Sequence, residues 1–438
     1  MRGLTQSEIL RGVRVFVGLA ICTTASLAWA KPVSVIRGGE TFAPINPQRI
    51  LFQDRDTMVL REPEAEDREF QDLYVVNLTH HFSLPADIEA MGEVLDFVPR
   101  RFAVMRLEAP DAEMLAGRLH GEGMACGLLT KLNGDEMSFA AGRTPTPRIP
   151  VVNRDDRAAT LVAKVATTGI KQTIDQLAAI PTRFHQTSSG ESVADVLAER
   201  YRALAAGRQD VTIATYDHKT ATPQRSLIVR IEGRTKPEEL IVLGSHLDSV
   251  NWSDGSSKRA PGADDNASGT ATNLEVFRVL MEEGLRPERS VEIHAYAAEE
   301  IGLVGSQDVA QAYRRAGRQV VAMVQHDMTL YKNPGTTDKI WLVSNNTDDA
   351  LNNQLGVLID TYVGMAWAKR PLYAGSSDHA SWKRAGYPAA FPFENPSDHN
   401  PHIHTANDTT ERANAFDQAA GFGKLAMAFI VHFAGVAE

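Results

Sequence analysis

Histidines and carboxylates recur along this 438-residue chain in a fixed order: His246 with Asp248, then Asp265, the pair Glu299-Glu300, Asp327 and finally His404. Two imidazoles and three carboxylates can hold two divalent cations, with a further carboxylate left over to move protons. Hard oxygen donors combined with imidazole suit zinc, with cobalt or manganese as substitutes. Two such cations bring four positive charges and three ligand carboxylates remove three. A bridging hydroxide would bring the set near neutrality. Each piece alone is weak, but together they describe a hydrolytic metal site.

The local settings sharpen this reading. In Gly244-Ser-His246-Leu-Asp248 the alternation of an extended chain points His246 and Asp248 the same way. A carboxylate at Asp248 can then accept the second ring N–H of His246 and fix its tautomer. Asp264 and Asp265 lie in a turn-rich stretch, Pro261–Thr270, before a helix. A carboxylate there is commonly a cap, a role open to Asp264, while Asp265 could lend one oxygen to each of two metals. Glu299 and Glu300 would repel each other unless a cation or proton intervenes. One as ligand and its neighbour as general base resolves that conflict. Asp327 offers the third carboxylate, with His326 alternating to the opposite face. His402 and His404 share a face if extended, so spacing alone leaves both as the last imidazole.

These residues must be carried by a suitable frame. From about Val151 long helical stretches alternate with short apolar strands. Helical composition spans 155–180, 192–206, 267–283, 303–316, 348–365 and 410–433. Strand patterns cover 227–231, 240–245, 291–297, 320–325 and 340–344, and the unbroken apolar run at 240–245 implies burial on both faces. Such alternation predicts a three-layer α/β/α domain around a mixed, mostly parallel sheet. Ligands bind such sheets at the carboxyl ends of strands, where His246, Glu299-Glu300 and Asp327 fall. Ahead of this domain, strands at 73–78, 101–107 and 125–130 with helices at 85–95 and 111–119 predict a small α/β unit over residues 31–142. The Pro-rich stretch 143–150, with Arg143 and Arg148, reads as a linker and processing site.

The first thirty residues read as a secretory signal peptide: Arg2, Arg11 and Arg14, an apolar run from Val15, and Ala28-Trp29-Ala30 as cleavage site. The apolar run falls short of the ~20 residues that span a bilayer, so no stable membrane anchor is expected. Three Arg and one Glu leave with this segment, taking the formal charge from −10 to −12. An acidic mature chain argues against nucleic acid as partner. Cys22 also leaves, so Cys126 has no intrachain disulfide partner. A G-x-S-x-G elbow is absent, the main domain has no cysteine nucleophile, and no G-x-x-x-x-G-K-[ST] phosphate loop is present.

From about Asp155 onward the chain resembles the exported double-zinc aminopeptidases of the bacterial leucyl aminopeptidase type. The likeness is carried by Gly244–Ser249, Ala260–Gly269, Ala295–Glu300, Ser377-Asp-His-Ala-Ser-Trp382, Gly386–Ala390 and Ile403-His-Thr405. The resemblance implies two zinc ions per catalytic domain, one on His246 and Asp327, the other on Glu300 and His404, with Asp265 bridging. It implies Glu299 as general base, Asp248 as the partner of His246, His404 over His402, a cis Asp265–Asn266 peptide and a propeptide at 31–142. The catalytic domain is then 151–438.

The expected activity is hydrolysis of the N-terminal, Leu-like residue from peptides with a free N terminus, through a zinc-bridged water. Met328, Phe391, Phe393 and Ile403, with Tyr373, are expected to line the substrate pocket. A monomer, exported to the periplasm or secreted, with its propeptide as intramolecular partner, completes the expectation. The alternatives are a one-zinc glutaminyl cyclase on the same fold and a binding protein that has lost catalysis. Two departures from the family stand out: Leu372–Ser376 contains no cysteine, and Phe393–His399 is one residue shorter.

Overall fold

The computed structural model describes residues 31–37, 49–54, 57–66, 70, 72–78, 81–120, 129–132, 150, 152, 154–219, 221–372 and 376–437. The expected signal segment 1–30, Cys126, residues 143–149 of the expected linker and Tyr373 lie outside them. Pro32–Glu438 is one compact unit.

Six strands form the central sheet in the order Ala389–Ala390, Gln319–Gln325, Lys236–His246, Arg289–Tyr296, Ser226–Ile231, Val211–Tyr216. Lys236–His246 runs parallel to both of its neighbours, and the short Ala389–Ala390 strand is also parallel. The last two strands join antiparallel, so the sheet is mixed. The apolar run in Lys236–His246 is buried on both faces because the sheet is covered twice. Ile241 and Leu243 pack into the large core beneath helices Asp156–Val162, Thr167–Ala178, Ser188–Leu204, Gly269–Glu282 and Phe416–Ile430. Leu240 and Val242 face the other way, toward helices Val304–Arg315 and His379–Arg384. This is the three-layer α/β/α arrangement.

Local chemistry sets several helix starts. Asp155 accepts the Arg157 amide at 2.8 Å, Thr187 that of Gly190 at 3.1 Å and Asp348 that of Leu351 at 3.0 Å, each satisfying an otherwise orphaned donor. Four expectations shift. The helical stretch 155–180 is two helices, since the Ala166 N–H is taken by Glu275 Oε1 at 2.7 Å rather than by a preceding carbonyl. The strand Lys339–Val343 leaves the central sheet and pairs instead with Ala366–Arg370 and Pro392–Phe393. The final helix is shorter, Phe416–Ile430. Residues 85–95 hold only the short helix Ala86–Glu89, because Glu93–Val98 pairs antiparallel with Phe102–Arg106.

The N-terminal part contains a four-stranded antiparallel sheet in the order Glu93–Val98, Phe102–Arg106, Leu73–Asn77, Leu129–Lys131. Alternate residues of Leu73–Asn77 serve two cores: Tyr74 and Val76 pack with helix Ala109–His120, Leu73 and Val75 with Val33, Leu51 and Val59. Trp252, six residues beyond His246, packs against the first of these cores.

Candidate active site

The three parallel strands end side by side and deliver His246, the Glu299-Glu300 turn and Asp327 to one edge. His246 is the last residue of its strand, and Asp327 stands two residues past the end of its own. Asp265 comes from the turn preceding helix Gly269–Glu282, and the Asp265–Asn266 peptide is cis. His404 arrives from the loop ahead of the last helix, its carbonyl accepting the Trp252 N–H at 2.9 Å. Every one of these side chains is buried, His404 the least so at 7% exposure.

Two clusters result, each combining one imidazole with two carboxylates: His246, Asp265 and Asp327, and Asp265, Glu300 and His404. Asp265 belongs to both. Its Oδ1 lies 3.0 Å from His246 Nε2 and its Oδ2 lies 2.9 Å from His404 Nε2. His246 Nε2 is also 3.4 Å from Asp327 Oδ1, and His404 Nε2 is 3.1 Å from Glu300 Oε2. Nitrogen and oxygen donors converging in this way fit a divalent cation at each cluster.

Asp248 Oδ1 faces His246 Nδ1 at 3.3 Å. The same carboxylate receives the amide of Glu299 at 3.0 Å and that of Glu300 at 3.1 Å. One acid therefore addresses the back of His246 and the backbone of the Glu299-Glu300 turn together. Asp327 Oδ2 accepts the Ser377 hydroxyl at 2.7 Å, and Gln325 donates to both Ser377 and Asp378.

Electrostatics follow from burial. Burial, with Asp378, Glu300 and Asp327 nearby, pushes the Glu299 carboxyl well above its usual range, and neither of its oxygens meets a hydrogen-bond donor among the described residues. Burial and the adjacent Asp265 raise Glu300 to about 7. Burial acts against a charge on Asp265, yet the facing imidazoles of His246 and His404 hold its carboxyl below the usual range. Burial likewise opposes a proton on His404, but Glu300 and Asp265 raise it to about 10.

The neighbours of the expected ligands behave differently. His326 turns to the other face, where Nδ1 meets Asn273 Oδ1 at 2.8 Å, and burial lowers its pKa to about 3. His402 stays outside both clusters, 3.5 Å from Arg412. Asp264 is not a helix cap: its Oδ1 takes the Leu330 amide at 2.8 Å. Met328, Phe391 and Phe393 form one apolar cluster with Val343 and Leu372, with Ile403 packed against it. Met328 follows Asp327 and Ile403 precedes His404, so this cluster adjoins both metal-capable groups in sequence. Residues that sequence reading did not single out include Arg183, whose buried guanidinium donates to the carbonyls of Leu177, Leu247, Pro261 and Gly262. They also include Gln224, Ser226 and Asp408, and no local pattern marks any of them.

The fold and the shared-carboxylate clusters define a class of α/β/α metal-site hydrolases, and the comparisons with known proteins narrow it. The profile of peptidase family M28 matches residues 226–429. The chain is 33% identical to leucine aminopeptidase 1 of Fusarium vanettenii over 292 residues, 64% of this chain and 71% of that protein. It is 38% identical to a probable aminopeptidase of Saccharomyces cerevisiae over 238 residues, 53% of this chain but only 63% of that one. The crystal structure of the LapA aminopeptidase of Legionella pneumophila superposes with a TM-score of 0.71 at 26% identity, covering 84% of this chain and 99% of that one. The chain belongs to peptidase family M28 and is an enzyme, a hydrolase of peptide bonds with the fold of the family's aminopeptidases.

Proposed function

We propose that this enzyme is a zinc-dependent aminopeptidase that removes an apolar N-terminal residue from peptides, using two cations and Glu299 as general base. The observation that carries the reading is Asp265, whose two oxygens face two different imidazole–carboxylate groups. One cation would be held by His246, Asp265 and Asp327, the other by Asp265, Glu300 and His404. When bound, two such ions polarise the scissile carbonyl and acidify water.

The protein's own residues supply the rest. Glu299 takes a proton from the water that adds to the carbonyl carbon, then delivers it to the departing amine as the C–N bond breaks. Asp248 orients His246 and holds the Glu299 backbone in place. A free α-amine would reach the cation site and the nearby acidic groups, which confines cleavage to chain ends. Met328, Phe391, Phe393 and Ile403, with Tyr373, would receive the first side chain, favouring Leu-like residues. The reading extends to an exported monomer with a signal peptide at 1–30 and a propeptide at 31–142. Its support is the leader-like sequence and the packing of Trp252 against the N-terminal core.

The test is E299Q, assayed with a Leu-headed peptide beside chelated and N-acetylated controls. The expected result is loss of turnover by about 10²–10⁴-fold with zinc still bound. Wild-type turnover in E299Q would remove Glu299 as base. Release of ammonia from a Gln-headed peptide, without loss of the first residue, would point to the one-zinc cyclase.

A further inference from the structure

A second polar constellation lies outside the metal-capable clusters. Asp308 Oδ2 is 3.0 Å from His218 Nδ1, and His218 Nε2 is 2.7 Å from Ser226 Oγ. Asp, His and Ser in this order resemble the relay of a serine hydrolase. Yet Ser226 is fully buried, and its Oγ accepts the Ala297 N–H at 2.9 Å. A nucleophile in that position could reach no substrate.

What Ser226 touches is more telling. Four consecutive amides leading into the catalytic pair each donate to a side chain from elsewhere in the chain. Ala297 donates to Ser226, Ala298 to Gln224 Oε1 at 3.0 Å, and Glu299 and Glu300 to the two oxygens of Asp248. The antiparallel neighbour strand gives out just before this point, its last pairing being Ala295 with Leu227. Side chains replace the lost ladder. They also hold Ala298 at a φ of 51°, in the left-handed region that non-glycine residues adopt only when their surroundings enforce it.

We infer that Asp308, His218 and Ser226, together with Gln224, form a positioning device that aims the Glu299 carboxylate, and this rests on the reading of Glu299 as general base. A serine hydroxyl is a free rotor and offers a lone pair dependably only when its proton is committed elsewhere. Asp308 commits the Nδ1 proton of His218, leaving Nε2 to accept the Ser226 proton and the Ser226 lone pair to receive Ala297 N–H. Helix Val304–Arg315 brings Asp308 to this point because it starts hard against the turn. A Cβ at Gly305 would lie 2.4 Å from the Ala297 carbonyl oxygen and 3.0 Å from Ser226 Oγ. Gln224 is itself anchored, donating to the carbonyls of Arg183 and Gly190.

The experiment measures kcat, KM and zinc content in the full chain for S226A, D308A, H218L and H218Q, and for S226A combined with E299Q. Asp308 is 30% exposed, so D308A keeps the test open if S226A does not fold. S226A and D308A are expected to lower kcat about 10- to 100-fold, the scale of a misplaced reacting group. KM should stay within about twofold and zinc content unchanged, because the device acts on the base rather than on binding. H218Q, whose amide can still accept from Ser226, should retain more activity than H218L. In the E299Q background S226A should cost nothing further, since the group it aims is already gone. Wild-type kcat in folded S226A and D308A would overturn the inference, as would an undiminished S226A loss on top of E299Q. Wild-type turnover in E299Q alone is a separate result that would overturn the reading of Glu299 and this inference with it.

Discussion

Asp264 and Asp265 are adjacent, equally buried acids with opposite surroundings. Both oxygens of Asp265 face imidazoles, His246 on one side and His404 on the other. Asp264 faces amides: it accepts from Leu330 N at 2.8 Å and from Asn400 Nδ2 at 3.1 Å. Around it, Asp408 takes the amides of Asp264 and Asp265, and Glu394 takes those of Tyr331 and Asn400. Burial and the neighbouring Asp408 push Asp264 well above the carboxylate range, and burial with Asp264 does the same to Glu394. An acid group satisfied by N–H donors and shared protons is a fastener. One presented to two imidazoles beside further acids is a cation site. Counting carboxylates does not separate the two; the partners do.

That contrast can be broken most directly at Asp265. D265A is expected to bring turnover to background and to lower bound zinc, read by elemental analysis of the dialysed protein. The matching change one residue earlier should behave otherwise. D264A leaves the Leu330 and Asn400 donors without their acceptor, at a cost of about 2 kcal/mol in urea unfolding. Zinc content should be kept and turnover should fall less than about tenfold, well inside the 10²–10⁴-fold loss of a missing proton shuttle. If D264A lost zinc as D265A does, the division between fastener and cation site would fail.

The smallest expected effect is a pH dependence. Glu300 and Asp378 are raised to about 7 and Asp408 to about 6, in each case first by burial. The folded chain therefore keeps protons that the unfolded chain has already released, and stability falls as pH rises from the normal carboxylate range through 6 and 7. His404, raised to about 10 by Glu300 and Asp265 against the effect of burial, adds to the fall at higher pH. Chelator-treated protein should melt at progressively lower temperature between pH 5 and 8. Added zinc should raise Tm more at pH 8 than at pH 5, because binding displaces those protons. A chelated Tm that climbs over this window would contradict the assignment of these groups.

Much of the site was legible because strand ends leave a signature. His246, the Glu pair and Asp327 each follow an apolar run, and alternation correctly sent His326 to the opposite face, where it meets Asn273. Of the expected pocket residues other than Tyr373, Met328 and Ile403 flank Asp327 and His404 in the sequence, and Phe391 and Phe393 join them in one apolar cluster only through the fold. Asp264 misled because a helix-start acid normally caps its own helix, whereas here two separate loops, one holding Leu330 and the other Asn400, compete for it. The strand Val211–Tyr216 went unread because, at the sheet edge, it alternates only between half-buried and exposed residues and has no fully buried apolar run.

By itself, then, the sequence determined the layered frame, the order of the metal-capable residues and the family, whose resemblance implied a bridging Asp265 and His404 over His402, since periodicity and short motifs are local properties of a chain. Only the tertiary structure decided that Asp248 grips the Glu299 and Glu300 amides as well as facing His246, and that Ser226 and Gln224 take the two amides before them. Each of those depends on where a side chain more than 50 positions away comes to rest. That is set by the packing of three parallel strands against two helical layers, and no spacing within the chain records it.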